Sequence, residues 1–193
     1  MNKLITICVV VVLGAGSTAF GTLTHHVWEF DTDEPEPTAN VIEVPVGVAP
    51  AHLQVTPGPG GWQNGVWSLS GEIDVIIDND PALLEKKVID ILLLWAPGED
   101  TTLMPERPLV GVSAVPMDSM TMTVVEDPVA GGDWILSTYQ IVIRPNPPEE
   151  WIAIKGDILV DKLDIKTECI PEPATIGLLG LGGLALLRIR GRR

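Results

Sequence analysis

Alternation with a period of two is the feature that most restricts what this chain can fold into. From Trp67 onward, Leu69, Gly71, Ile73, Val75 and Ile77 hold the odd positions, while Ser68, Ser70, Glu72, Asp74 and Asp78 hold even ones. Successive strand residues point to opposite faces, so this pattern puts one face of a strand in a core and the other in water. Ile152, Ile154, Gly156, Ile158 and Val160 repeat it against Lys155, Asp157 and Asp161. The phase then shifts to Leu163 and Ile165, which predicts a β-bulge near Lys162. Ile135, Tyr139, Ile141 and Ile143 form a third run, and Met120, Met122 and Val124 a fourth. Val88–Trp95 is almost wholly apolar, as a central strand requires, although periodicity alone leaves a buried helix open there. Weaker strands are expected at 41–48, where Pro45 suggests an edge, near 51–56 and near 109–116.

Turns rich in Gly and Pro (TPGPGG, APGED, AGGD, RPNPPEE) separate these runs. Seven or eight strands joined in this way predict an all-β domain, an antiparallel sandwich of jelly-roll-like type. One short helix is expected at Asp80–Lys87, with Asp80 as N-cap and Pro81 at the first helical position. The 193 residues allow one domain of ordinary size with short appendages, and 46% hydrophobic residues against 20% charged give it a core.

The two ends differ from this body. Lys3 precedes the apolar run Leu4–Leu13, and small residues follow in GAGSTAFG. A charged start, a short apolar core and small residues at the cut make residues 1–21 a secretory signal helix, too short to span a bilayer of about 30 Å. Cleavage is expected before Phe20 or before Thr22. At the other end, Pro171, Glu172 and Pro173 precede a Gly/Leu-rich stretch, Ala174–Leu187, and then Arg188, Arg190, Arg192 and Arg193. Between the two apolar runs, 7 of the 12 Lys and Arg face all 26 Asp and Glu. Cations held beyond the last apolar stretch keep that end in the cytoplasm and place the acidic body outside, and the net charge of -14 argues against nucleic acid as a partner.

Residues 171–193 resemble the PEP-CTERM sorting signal of exported bacterial proteins. The resemblance rests on the Pro171-Glu172-Pro173 triplet, Ala174 and the LLGLGGLALLRIR run. It implies that an exosortase-type enzyme reads the triplet, that a short C-terminal helix holds the chain in the membrane until then, and that the arginine cluster anchors this helix. The chain thus divides into a signal peptide (1–21), a β-sandwich domain (22–170) and a sorting tail (171–193). An exported cell-surface or extracellular-matrix protein is the expected outcome.

Signals for chemistry within the body are few. Neither HExxH, nor GxSxG, nor a P-loop string occurs, so a non-enzymatic body is expected; a hydrolase would need two carboxylates facing each other in a cleft. No cofactor is expected. Calcium is the one ion for which oxygen-rich loops are present, at Asp31, Asp33 and Glu34 or at Asp78, Asn79 and Asp80, and neither set follows the EF-hand pattern. His25 and His26 would point to opposite faces of a strand and read, with His52, as surface residues. Cys169 is the only cysteine left after signal removal, which excludes an intrachain disulfide.

Six Trp against two Phe and one Tyr invite a second reading, a carbohydrate-binding module for extracellular polysaccharide. Indole faces stack on pyranose rings at small entropic cost. Trp67, Trp95, Trp134 and Trp151 lie in or beside strand patterns and are expected inside. Trp62, in a Gly-rich loop, and Trp28 are expected outside, with Gln63 and Asn64 beside Trp62 as hydrogen-bonding partners for hydroxyls.

Overall fold

The computed structural model describes residues 22–57, 61–69, 71–79, 85–98, 107–130 and 132–170. The expected signal helix, the sorting tail with its helix, and residues 80–84 of the expected short helix lie outside this range.

Among the described residues, twelve strands run in chain order: β1 (Thr22–Trp28), β2 (Val41–Glu43), β3 (His52–Thr56), β4 (Gly61–Gln63), β5 (Val66–Leu69), β6 (Glu72–Asp78), β7 (Lys86–Pro97), β8 (Leu109–Ala114), β9 (Ser119–Pro128), β10 (Ile135–Arg144), β11 (Glu149–Lys155) and β12 (Ile158–Ile170). They form two antiparallel sheets. The larger follows the order β2-β1-β12-β7-β10-β9, with β5 also paired to β12 and β4 to β5, and the smaller follows β3-β6-β11-β8. The all-β antiparallel expectation holds. The strand number exceeds the seven or eight expected because the run from Trp67 to Ile77 is two strands, β5 and β6, the run from Ile152 to Ile165 is two, β11 and β12, and β1 and β4 were not foreseen.

The apolar run at 88–95 is a central strand, since β7 lies between β12 and β10. Its alternate residues Ile89, Ile91, Leu93 and Trp95 are 0–1% exposed, while Val88, Leu92 and Leu94 are half-buried on the outer face. In β12 the pairing with β7 shifts register between Val160 and Lys162, the bulge foreseen there, and it returns Leu163 and Ile165 to the core side. From the smaller sheet, Leu53, Val55, Ile73, Val75, Ile77, Ile152 and Ile154 join the same apolar cluster. Connections from β6 through β8 and from β10 through β12 cross between the sheets at every step. β9 departs from that pattern, because it remains in the larger sheet beside β10.

The expected helix ends differently. Glu85 lies in a bend, and Lys86 and Lys87 already belong to β7, with Lys87 fully buried. Strand alternation puts Lys87 on the core face together with Ile89, and its partner waits there.

Candidate functional site

Register brings several features to one end of the molecule. Thr22 pairs with Cys169, Ile170 with Lys86, and Lys87 with Ile143. The first described residue and the last therefore leave the larger sheet side by side. The sorting residues Pro171, Glu172, Pro173, Arg188, Arg190, Arg192 and Arg193 lie beyond the described range, and the triplet follows directly on a residue still paired within the sheet. Cys169, on the core side of β12, is 2% exposed, so the folded body shields the thiol.

At this same end an ion pair crosses the core. Lys87 Nζ contacts Glu150 Oε1, and both side chains have no exposure at all. Asn79 serves both charges: its Oδ1 accepts from Lys87 Nζ, and its Nδ2 donates to Glu150 Oε2 at 2.5 Å and to the Pro147 carbonyl at 2.6 Å. Burial pushes the Glu150 carboxyl above its ordinary range, while Lys87 and Asn79 draw it back. Asn79 is thus committed to a lysine and a carboxylate, which removes it as a calcium ligand. Asp31, Asp33 and Glu34 also fail to converge: among the described residues, no group of three or more His, Cys, Asp or Glu side chains is placed to hold a metal.

The histidines lie on opposite faces, as the strand geometry requires, yet His26 is not a surface residue. It is fully buried, stacks on Trp28 with ring centroids 5.7 Å apart, and accepts the Ala51 N–H through Nε2 at 3.0 Å. Burial first, and then the nearby charges of His25 and Lys87, push its pKa down to about 4. His25, on the other face, lies 3.0 Å from Asp164 Oδ1.

The tryptophans depart most from expectation. Trp28 is 1% exposed and its indole N–H donates to the Pro37 carbonyl at 3.1 Å, so it is a core residue. Trp62 packs partly buried against the core, with its N–H given to the Phe30 carbonyl at 2.8 Å. Asn64 and Gly65, with φ of 52° and 86°, form the two-residue turn between β4 and β5, where Gln63 pairs with Val66. Two successive positive φ values are those of a type I′ hairpin turn, so the backbone accounts for Asn64 without a ligand. Gln63 is exposed beside it. Trp67 and Trp95 are buried and Trp134 is half-buried, whereas Trp151 is 48% exposed.

Trp151 stands on the outer face of the smaller sheet, opposite Ser113 of β8 and Ile76 of β6. Two residues earlier Glu149 pairs with Asp78, and Glu149 Oε1 accepts the Trp151 indole N–H at 2.5 Å. Asp78, Ser113, Ala114, Val115, Pro148, Glu149 and Trp151 line a cleft of about 540 Å³. Two backbone hydrogen bonds hold the loops around it, Asn79 N–H to Pro148 O at 3.0 Å and Asp118 N–H to Arg144 O at 2.8 Å.

Comparison with known families bears on the end of the chain. Residues 170–193 match the PEP-CTERM protein-sorting motif. The chain carries that motif. It marks the protein for export and for processing by an exosortase-type enzyme. The match begins at Ile170, the last paired residue of β12, so sorting signal and folded body meet without an intervening linker. No curated protein matches the sequence.

Proposed function

We propose that the body, residues 22–170, is a non-enzymatic cell-surface or extracellular-matrix protein that the PEP-CTERM tail delivers. The sorting motif at 170–193 carries this reading. Two properties of the body support it. Its excess of acids keeps it hydrated and apart from an anionic membrane surface. Its buried apolar cluster, drawn from both sheets, gives an exported domain a core that needs no disulfide. The test is mass spectrometry of the protein from its host's surface fraction, with Arg188, Arg190, Arg192 and Arg193 replaced by Ser in a parallel strain. Wild type should begin at Phe20 or Thr22 and lack the tail, and the variant should keep it. Identical sorting of both would overturn the topology.

A second reading, a carbohydrate-binding module, is favoured by one observation, the exposed indole of Trp151. The loop of Trp62, Gln63 and Asn64 supports that reading less, because the Trp62 N–H is spent on Phe30 and Asn64 is spent on the turn.

A further inference from the structure

We propose that the cleft at the end of the smaller sheet is a saccharide-binding site, with Trp151 as its stacking platform and Asp78, Glu149 and Ser113 as partners for sugar hydroxyls. The proposal rests on the carbohydrate-binding reading and gives it a place and a ligand class. A volume of about 540 Å³ is that of a ligand pocket, for which about 300–1,000 Å³ is usual. Its lining is divided in the way a pyranose is. Trp151, Ala114, Val115 and Pro148 offer apolar surface to the C–H faces of a ring, and the two carboxylates and the serine offer acceptors to its hydroxyl edge. Hydroxyls bound to carboxylates form charge-assisted hydrogen bonds, the stronger kind.

Electrostatics narrows the ligand. Among the described residues the lining contains no cation, and two carboxylates stand within it. Uronate, sulfate or phosphate groups would be repelled, which leaves chains of neutral or amino hexopyranoses. A basic peptide would also be drawn to carboxylates beside an indole, so a cationic peptide is one arm of the test. Hydrolysis is a poorer fit than binding, although Asp78 and Glu149 are cross-strand neighbours. A general acid at neutral pH needs burial to retain its proton, and both of these side chains are open to solvent.

The test uses protein purified from its host after processing, titrated calorimetrically with cellohexaose, maltohexaose, mannohexaose and chitohexaose, with hexagalacturonate and hexalysine as controls. At least one neutral or amino-sugar hexamer should bind, and hexagalacturonate at least tenfold more weakly. Trp151→Ala should weaken binding tenfold or more and Asp78→Asn about tenfold, while Trp151→Phe stays within about threefold and Trp62→Ala is unchanged. Circular dichroism melts of the Trp151 and Asp78 variants should coincide with wild type, and Trp62→Ala is titrated at a temperature where its melt shows it folded. If no hexamer binds, this site and the carbohydrate reading both fall. If binding is lost on Trp62→Ala and kept on Trp151→Ala, the reading stands and this site falls. Tighter binding of hexalysine would identify a peptide groove instead, and release of shorter sugars would overturn a purely binding role.

Discussion

Removing one charge of the buried pair gives the sharpest test of how this sandwich is held closed. Lys87→Met retains most of the volume of the side chain and leaves Glu150, with no exposure, facing only Asn79. Breaking a buried pair from one side costs about 3–5 kcal/mol, because an uncompensated charge stays in the core. For a domain of this size, 1 kcal/mol moves the melting temperature by about 2–4 °C, so a fall of roughly 6–20 °C is expected. The loss should also depend on pH. Burial raises the Glu150 pKa above its ordinary value of 4.5, and Lys87 lowers it. In the variant that lowering disappears, so the folded state holds the Glu150 proton more tightly than the unfolded chain does. A raised carboxyl contributes stability that is fully present below the unfolded pKa and is lost as pH rises through the folded one. Urea denaturation of the processed protein should therefore show a small penalty at pH 5 and the full one at pH 8. The double variant Lys87→Met/Glu150→Leu should recover to within about 2 kcal/mol of wild type, since an apolar replacement of the pair is often neutral and only Asn79 loses partners. A single variant within 1 kcal/mol of wild type at pH 8, or a penalty equal at both pH values, would refute this account of the core.

His26 should make wild type acid-sensitive in a defined window. Its folded pKa of about 4 lies below the ordinary 6.5, so its contribution is complete above pH 6.5 and is lost as pH falls toward 4; at about 1.4 kcal/mol per unit the full effect is about 3 kcal/mol. His26→Gln should flatten the pH dependence of urea stability across that window, and an unchanged slope would dismiss the histidine as its source. Ser137→Ala removes the acceptor 2.8 Å from the buried Trp95 indole N–H and should cost about 1–3 kcal/mol by chemical denaturation; a loss below 0.5 kcal/mol would mean that this N–H finds another acceptor. β9 is a ten-residue edge strand, exposed throughout and without a lysine. Val125→Lys, on its outer face, should slow aggregation measured by light scattering and leave the melting temperature within about 1 °C, as charges on edge strands block pairing with other chains; unchanged aggregation would clear β9 of that role. Replacing Pro171, Glu172 and Pro173 by Ala should leave the tail on the protein, read as intact mass, and normal trimming would show that the triplet is not what is recognised.

Strands were legible wherever a long run buries one face, and illegible where local chemistry outweighs periodicity. β6, β10, β11 and the bulge in β12 follow directly from alternation. β4 was hidden by a Gly-rich sequence that reads as a loop, although Asn64-Gly65 between Trp62-Gln63 and Val66-Trp67 is a hairpin signal in its own right, and β5 ran on into β6 because Gly71 keeps the same alternation. For the tryptophans the rule of apolar pattern failed in both directions. Trp28 lies next to a glutamate and near an acidic loop, yet the Pro37 carbonyl supplies the hydrogen bond that lets its indole enter the core. Trp151 has the opposite parity to Ile152 and Ile154, so their alternation already placed it outside, and its expected burial rested only on its lying beside an apolar run. Because Lys87 and Asn79 satisfy Glu150 inside, Trp151 takes the outer face.

That inversion links the core to the candidate site. If Glu150 faced water, a one-residue change of phase would bury Trp151 and turn Ile152 and Ile154 outward, which the core forbids. The charge pair therefore allows β11 to keep Ile152 and Ile154 in the core while Trp151 and Glu149 stand together on the cleft side. The cleft, the ion pair and the exit of the sorting tail share one end of the molecule, since Asp78, Asn79 and Glu150 adjoin Lys87, and Lys86 pairs with Ile170.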